Sequence, residues 1–255
     1  MTADLSASAY LVDGGDLAAT GVSLTHDGAG LWSGLTEDVG AETYAGTDGG
    51  TLLDGAYRPF QHSTMYLVRG SSFDDVWSKV VALRRRCKPG RTVTLTRQMP
   101  DPDGTDANTN QTATARRLTD RPDWLAETGF VLDIDWLIVD GVWHGSAVAI
   151  ANAAGVQAIA GDTRTRRMTI TLDAGAARTI KNTTNEYEFT FSATVPTGGV
   201  LIDVEALTAT AIVGGADLST SLSWEKELPM QLEAGSNTLT VSAGSASISY
   251  QPAYL

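Results

Sequence analysis

Arg167-Met-Thr-Ile-Thr-Leu-Asp-Ala-Gly175, Arg178-Thr-Ile-Lys-Asn182 and Tyr187-Glu-Phe-Thr-Phe-Ser-Ala-Thr194 follow one another with little but turn residues between them. Each sets apolar or β-branched residues at alternate positions, the period of a strand with one face buried. The pattern continues through residues 200–203, 205–212, 222–224, 230–232, 238–242 and 247–250. Asp173-Ala-Gly175, Pro196-Thr-Gly-Gly199, Gly214-Gly215 and Ala234-Gly-Ser-Asn237 supply turns. Many short strands at close spacing predict a β-sandwich. The spacing is not constant, which argues against a solenoid.

Upstream of this run, residues 146–161 are rich in Ala and nearly uncharged. The composition shift after Gly145 marks a junction, so the expected domains are 1–145 and 146–255. The N-terminal part is mixed. Short strands are expected at 10–12, 17–25 and 64–69, with loops and short strands in the Gly-, Asp- and Thr-rich stretch from 28 to 55. One helix is predicted over 72–87. Ser72 can cap it, and Asp75 lies beside the exposed amides of the first turn. Phe73, Val76, Trp77, Val80, Leu83 and Cys87 recur at helical spacing and are expected on one buried face. Arg84, Arg85, Arg86 and Lys88 suit the carbonyl end, and Pro89-Gly90 stops the helix. Strands are expected over 91–98 and 111–118, joined by a polar loop at 99–110. Residues 130–139 alternate clearly, with Phe130, Leu132, Ile134, Trp136 and Ile138 facing a core. Asp140-Gly141 then predicts a hairpin turn into a return strand at 142–144. The fold class expected is mainly β, with one helix in the first domain.

Composition bounds the function. The 255 residues carry a net charge of −12. Both halves are acidic, which speaks against a nucleic-acid binder held by phosphate contacts. No run approaches the roughly 20 apolar residues of a membrane helix, and the first residues do not read as a secretory signal. A single cysteine, Cys87, allows neither an internal disulfide nor a cysteine-based zinc site.

Catalytic patterns are equally scarce. His26, His62 and His144 stand in no metal-binding spacing, and no nucleophile elbow or phosphate loop is present. Asp101, Asp103 and Asp106 faintly resemble a carboxylate loop but lack the closing Glu of a calcium hand. Asp133 and Asp135 share one strand face. A glycosidase needs two carboxylates in different environments across a cleft, and neighbours of this kind arise by chance among 30 acidic residues. Trp124, Trp136, Trp143 and Trp224 fit core or interface positions better than a sugar platform. No enzyme, no cofactor and no metal is therefore expected.

Three C-terminal features occur in order: Arg178-Thr-Ile-Lys-Asn182, Val200-Leu-Ile-Asp203, and the run from Trp224 to Val241 before the terminal Ser247-Ile-Ser-Tyr-Gln-Pro-Ala-Tyr-Leu255. Leu232-Glu-Ala-Gly-Ser-Asn237 and Tyr250-Gln-Pro-Ala-Tyr254 carry the likeness. The segment resembles the C-terminal part of siphophage distal tail (Dit-like) and related minor tail proteins. There, a Trp precedes a Leu-x-x-Gly-x-Asn hairpin and the chain ends in a Tyr-x-Pro-x-Tyr strand. The first half resembles the ring domain of that family more loosely, through its capped helix and long hairpin. The resemblance implies an N-terminal ring-forming domain over 1–145 and a galectin-like β-sandwich over 146–255. It implies a hexameric ring joining tail tube to tip or baseplate, with passage for DNA. Its partners would be further copies of itself, the tail tube protein and tail-tip hub proteins. Its location would be the virion tail tip, after synthesis in the cytoplasm of a bacterial host. An alternative is a carbohydrate-binding module that recognises host-surface glycan, with Trp224 or Tyr187 as the stacking platform.

Overall fold

A computed structural model describes residues 59–98, 110–224 and 230–254, together with four short strands nearer the N terminus. These are β1 (Tyr10–Val12), β2 (Val22–Leu24), β3 (Gly40–Thr43) and β4 (Gly50–Leu53). They are followed by β5 (Phe60–Arg69), the helix α1 (Phe73–Arg86), β6 (Thr92–Gln98), β7 (Asn110–Ala126), β8 (Gly129–Ile138) and β9 (Trp143–His144). The C-terminal part holds β10 (Val148–Ile150), β11 (Gly155–Ile159), β12 (Met168–Leu172), β13 (Arg178–Asn182), β14 (Tyr187–Phe191) and β15 (Val200–Asp203). It continues with β16 (Thr208–Ala211), β17 (Leu222–Trp224), β18 (Gly235–Val241), β19 (Ala246–Tyr250) and β20 (Ala253–Tyr254). The polar loop expected at 99–110 lies, with its carboxylates, outside the described residues up to 109, while Asn110 opens β7; the turns expected between 13 and 21 and at 27–28 lie outside them too. So does His26. The chain divides into two compact units, Met1–Trp143 and His144–Tyr254.

The first unit is built on one antiparallel sheet ordered β1-β6-β7-β8-β5-β2. β5 and β8 pair without a break from Phe60↔Ile138 to Arg69↔Gly129. Pairing with no register slip keeps every second residue of both strands on one face. That face carries Tyr66, Val68, Phe130, Leu132, Ile134, Trp136 and Ile138, all buried, as the alternation in the sequence predicts. The Trp136 indole N–H donates to Thr64 Oγ1 at 2.8 Å, so burying the ring leaves no donor unmet. α1 lies against β5 and β8 and buries Val76, Val80 and Leu83.

β7 runs well past the expected 111–118. It pairs with β6 up to Arg116 and with β8 from Ala115 to Ala126, with irregularities at Arg117/Thr119 and Trp124/Ala126. Beyond Arg116, β6 no longer runs beside it. Pro122 therefore sits where one strand edge needs no ladder hydrogen bond, the place a strand tolerates proline. The predicted return strand at 142–144 is reduced to β9, and it does not pair with β8, whose neighbours are β7 and β5. Val139 N instead donates to Thr114 O, and Asp140 Oδ2 accepts from Thr114 N, so the turn at 139–140 closes onto β7.

The second unit contains two five-stranded antiparallel sheets, β10-β19-β12-β15-β16 and β11-β18-β13-β14-β17. β12, β13, β14 and β19 alternate buried and half-buried residues along their length. Their inward residues, among them Ile170, Leu172, Ile180, Phe189, Phe191, Ile248 and Tyr250, form one core. The Ala-rich stretch after Gly145 supplies β10 and β11. Two local expectations change. Residues 230–232 make no strand and contribute only the isolated bridge Thr165↔Leu232. Gly235 and Asn237, expected in a turn, open β18 and pair with β11.

Asn237 explains that second change. Its side chain is fully buried. Oδ1 accepts from Asn182 Nδ2 at 2.7 Å and from Glu233 N at 3.0 Å, and Nδ2 donates to Glu233 O at 2.7 Å. The amide does for residues 233–237 what a backbone turn would otherwise do. Asn237→Ala removes the partner of Glu233 N and O, while Asn182 Nδ2 keeps Gln231 O, and is expected to lower unfolding free energy by about 1–3 kcal/mol, as read from urea denaturation. An unchanged midpoint would show that the network contributes nothing.

Candidate functional site

α1 forms where it does for local reasons. Ser72 Oγ accepts from Asp75 N at 3.3 Å. The Asp75 carboxylate accepts from Ser71 N at 2.9 Å and pairs with Lys79 at 3.0 Å, one turn on. The Ser71 amide, and after it Lys79, hold the Asp75 carboxyl below the usual carboxylate range. At the other end Cys87 N donates to Leu83 O, and three arginines occupy the last turn.

The buried stripe is narrower than the spacing suggests. Val76, Val80, Leu83 and Cys87 are buried, but Phe73 and Trp77 are 51% and 44% exposed. They flank the stripe and meet β7. The Phe73 ring stacks on Trp124 at 4.7 Å and 13°, and Trp77 lies 6.4 Å from the same indole. Trp124 also meets Phe130 edge-on at 4.9 Å, so an open aromatic stack rests on the core. Near it in the chain stand Leu125, 62% exposed, and the exposed Asp74 and Glu127. The sequence lists Trp124 only as one Trp among several. The signal that could have singled it out is its distance of six residues from Phe130 across a two-residue turn, which makes the two direct partners in the β7–β8 ladder.

Asp133 and Asp135 do lie on one face, as expected, but a guanidinium sits between them. Arg121 Nη2 is 2.9 Å from Asp135 Oδ2 and 3.5 Å from Asp133 Oδ2. Asp135 is buried and also accepts from Ser63 Oγ. Burial raises the Asp133 carboxyl, with Arg121 opposing and the Asp135 charge adding to the shift. This is an ion-pair cluster in the sheet, and neither carboxylate faces the other across a cleft. No group of three or more His, Cys, Asp or Glu among the described residues could hold a metal.

The two candidate stacking residues are placed differently. Tyr187 is 3% exposed and belongs to the core of the second unit. Trp224 is half-buried, opposite Phe189 in the β14–β17 ladder, on a small depression with Ile202, Val204, Leu207 and Met230. The structure does not bring the two together as one platform.

A buried polar group lies elsewhere in the first unit. His62 and Arg97 are both almost wholly buried. Arg97 Nε donates to Gln111 Oε1 at 2.7 Å, and its guanidinium lies 4.4 Å from the centre of the Trp143 ring. His62 meets the same ring edge-on at 5.4 Å.

No family model matches the chain, and no curated protein matches it by sequence. Solved structures do. The crystal structure of SPP1 Dit (gp 19.1), described as a paradigm of the hub adsorption apparatus in phages infecting Gram-positive bacteria, matches with a TM-score of 0.70. The match covers 97% of this chain and 99% of that one at 16% identity. The chain has the Dit fold. The phage P2 baseplate in its activated conformation with Ca matches more loosely, at a TM-score of 0.49 and 14% identity over 96% of this chain and 98% of that one. The match takes in both units, the first with its helix α1 and the second with its two five-stranded sheets. The aromatic stack, the arginine-rich helix end and the Arg121 cluster are side-chain features that this chain places on that fold.

Burial, reinforced by the Arg97 charge, lowers His62 from 6.5 to about 4. The unfolded chain takes up a proton near pH 6.5 that the folded chain refuses until about pH 4. Stability is therefore full above pH 6.5 and falls as pH drops through this window, by about 1.4 kcal/mol per unit and about 3 kcal/mol overall. His62→Gln is expected to flatten that part of the profile. Urea unfolding at pH 7.0 and 4.5 measures it, and equal slopes for both proteins would exclude His62 as the source.

Proposed function

We propose that this chain is a structural component of a phage tail tip. Six copies close into a ring that joins the tail tube to the tip or baseplate and leaves a passage for DNA. The observation that carries this reading is the Dit fold over 97% of the chain, which takes in both units. A contact that repeats head to tail and closes by rotation makes such a ring. A net charge of −12 suits a wall that DNA must pass without sticking, since like charge disfavours phosphate contacts. The partners on this reading are further copies of the chain, the tail tube protein and the hub proteins of the tip. The role is non-enzymatic, and the place is the virion tail after synthesis in the host cytoplasm. No helix among the described residues is long and apolar enough to cross a membrane.

Light scattering on the purified chain, followed by negative-stain imaging, tests this. The expected result is one species near six chains, seen as a ring with a central hole. A strict monomer at high concentration counts against the ring, and a trimer would point to a fibre or receptor-binding component. The glycan-binding alternative now rests on Trp224, since Tyr187 is in the core. On the structural reading Trp224→Ala costs about 1–3 kcal/mol through lost packing and changes no binding. On the alternative it abolishes binding to host envelope glycan while the fold survives.

A further inference from the structure

α1 carries two unlike ends. At its start, Phe73 and Trp77 open outward and stack with Trp124 of β7. Two exposed carboxylates flank this stack, Asp74 beside Phe73 on the helix and Glu127 in the turn after Trp124, whereas Asp123 pairs with Val131 on the other face of the sheet. The turn that holds Glu127 abuts the helix start, where Gly70 N donates to Thr128 O. At the other end, about 20 Å along the helix axis, Arg85, Arg86 and Lys88 are exposed. Arg116 of β7 comes close beside Gly90, just past the helix. Arg84 is already engaged with Asp120 at 2.8 Å.

Neither end is explained by the fold alone. One or two basic residues complement a helix dipole, and Arg84 with Arg86 would suffice. Two tryptophans and a phenylalanine left open in contact form the kind of cluster that dominates protein interfaces. The chemistry of the two ends matches. A guanidinium is attracted both to an aromatic face and to carboxylates at its edge, and the protein already uses this pairing internally where Arg97 sits over Trp143. On a chain with net charge −12, a clustered basic end is drawn to the acidic aromatic end of another copy.

We infer that these are the two sides of one head-to-tail contact between copies of this chain, with Arg85, Arg86 and Lys88 of one copy seated on the Phe73–Trp77–Trp124 stack and its flanking carboxylates in the next. The inference rests on the ring reading and names the surface that closes it. Because the two sides differ, the contact is heterologous. It repeats from copy to copy and cannot stop at a two-fold dimer.

The experiment uses two variants of the full chain. Phe73→Ala with Trp77→Ala breaks the aromatic end, and Arg85→Glu with Arg86→Glu breaks the basic end. All four positions are exposed, and circular dichroism and thermal unfolding confirm folding. Should the aromatic variant unfold, Asp74→Asn with Glu127→Lys replaces it. Each variant alone is expected to be monomeric by light scattering where the unaltered chain assembles. Mixed one to one, they keep one intact end each and are expected to form a heterodimer of two chains and nothing larger. Rings retained by either variant would overturn this contact and leave the ring reading standing. A mixture that stays monomeric would overturn the head-to-tail arrangement. An unaltered chain that never assembles would remove both the contact and the ring.

Discussion

Strand β8 is the constraint on which the first unit depends. It is paired along its whole length with β5 on one edge and with β7 on the other. One face must therefore supply an unbroken apolar row, and Phe130 through Ile138 do so at every second position. The opposite face carries Asp133 and Asp135, two like charges a strand repeat apart. Such a pair is tolerable in a sheet only if a cation and hydrogen-bond donors meet it, and Arg121 and Ser63 arrive from the two neighbouring strands to do that. A slip of one residue in either ladder would bury the carboxylates in the apolar row and expose the row itself.

The position of α1 follows from the same strand. The helix needs an apolar surface for Val76, Val80 and Leu83, and β5 and β8 offer one. The extension of β7 past Arg116 brings Asp120 to Arg84 and Trp124 to Phe73. The far half of β7 thus runs alongside the helix, and its side chains fix which helix residues are covered. The aromatic stack and the basic end are consequences of that geometry. Their chemistry comes from the helix sequence and their openness from the length of a strand some forty residues later.

The second unit solves a different problem. Its two sheets share a large apolar core, but the turns at their ends leave backbone groups outside the ladders. Arg178 and Asn237 satisfy them from inside. Arg178 donates to the carbonyls of Asp173, Ala176 and Ser245, and its guanidinium fills the space a side chain at Gly244 would need, where φ is +64°. Buried polar side chains of this kind make a turn specific as well as stable.

Much of this was legible in the order of residues. The alternation in β8, β12, β13 and β19, the cap at Ser72 and the stop at Pro89-Gly90 are written in spacings of two to four residues, and local sterics and hydrogen bonding enforce them directly. The mainly β class and the helix at 73–86 follow from those signals, while the Dit-like resemblance rests on the C-terminal segments at 232–237 and 250–254. Other features depend on residues far apart in the chain. The reach of β7 through Pro122 is allowed only because β6 ends at its partner Arg116. Phe73 and Trp77 have the spacing of core residues, yet the curvature of a helix on a sheet covers a narrower stripe than the period marks out. Tyr187 looks like an available ring until the strand parity of β14 turns it inward, and Asp133 with Asp135 look catalytic until Arg121 is placed between them. Periodicity fixes which residues share a face. Only the packing of distant strands decides whether that face meets the core, an ion pair or solvent.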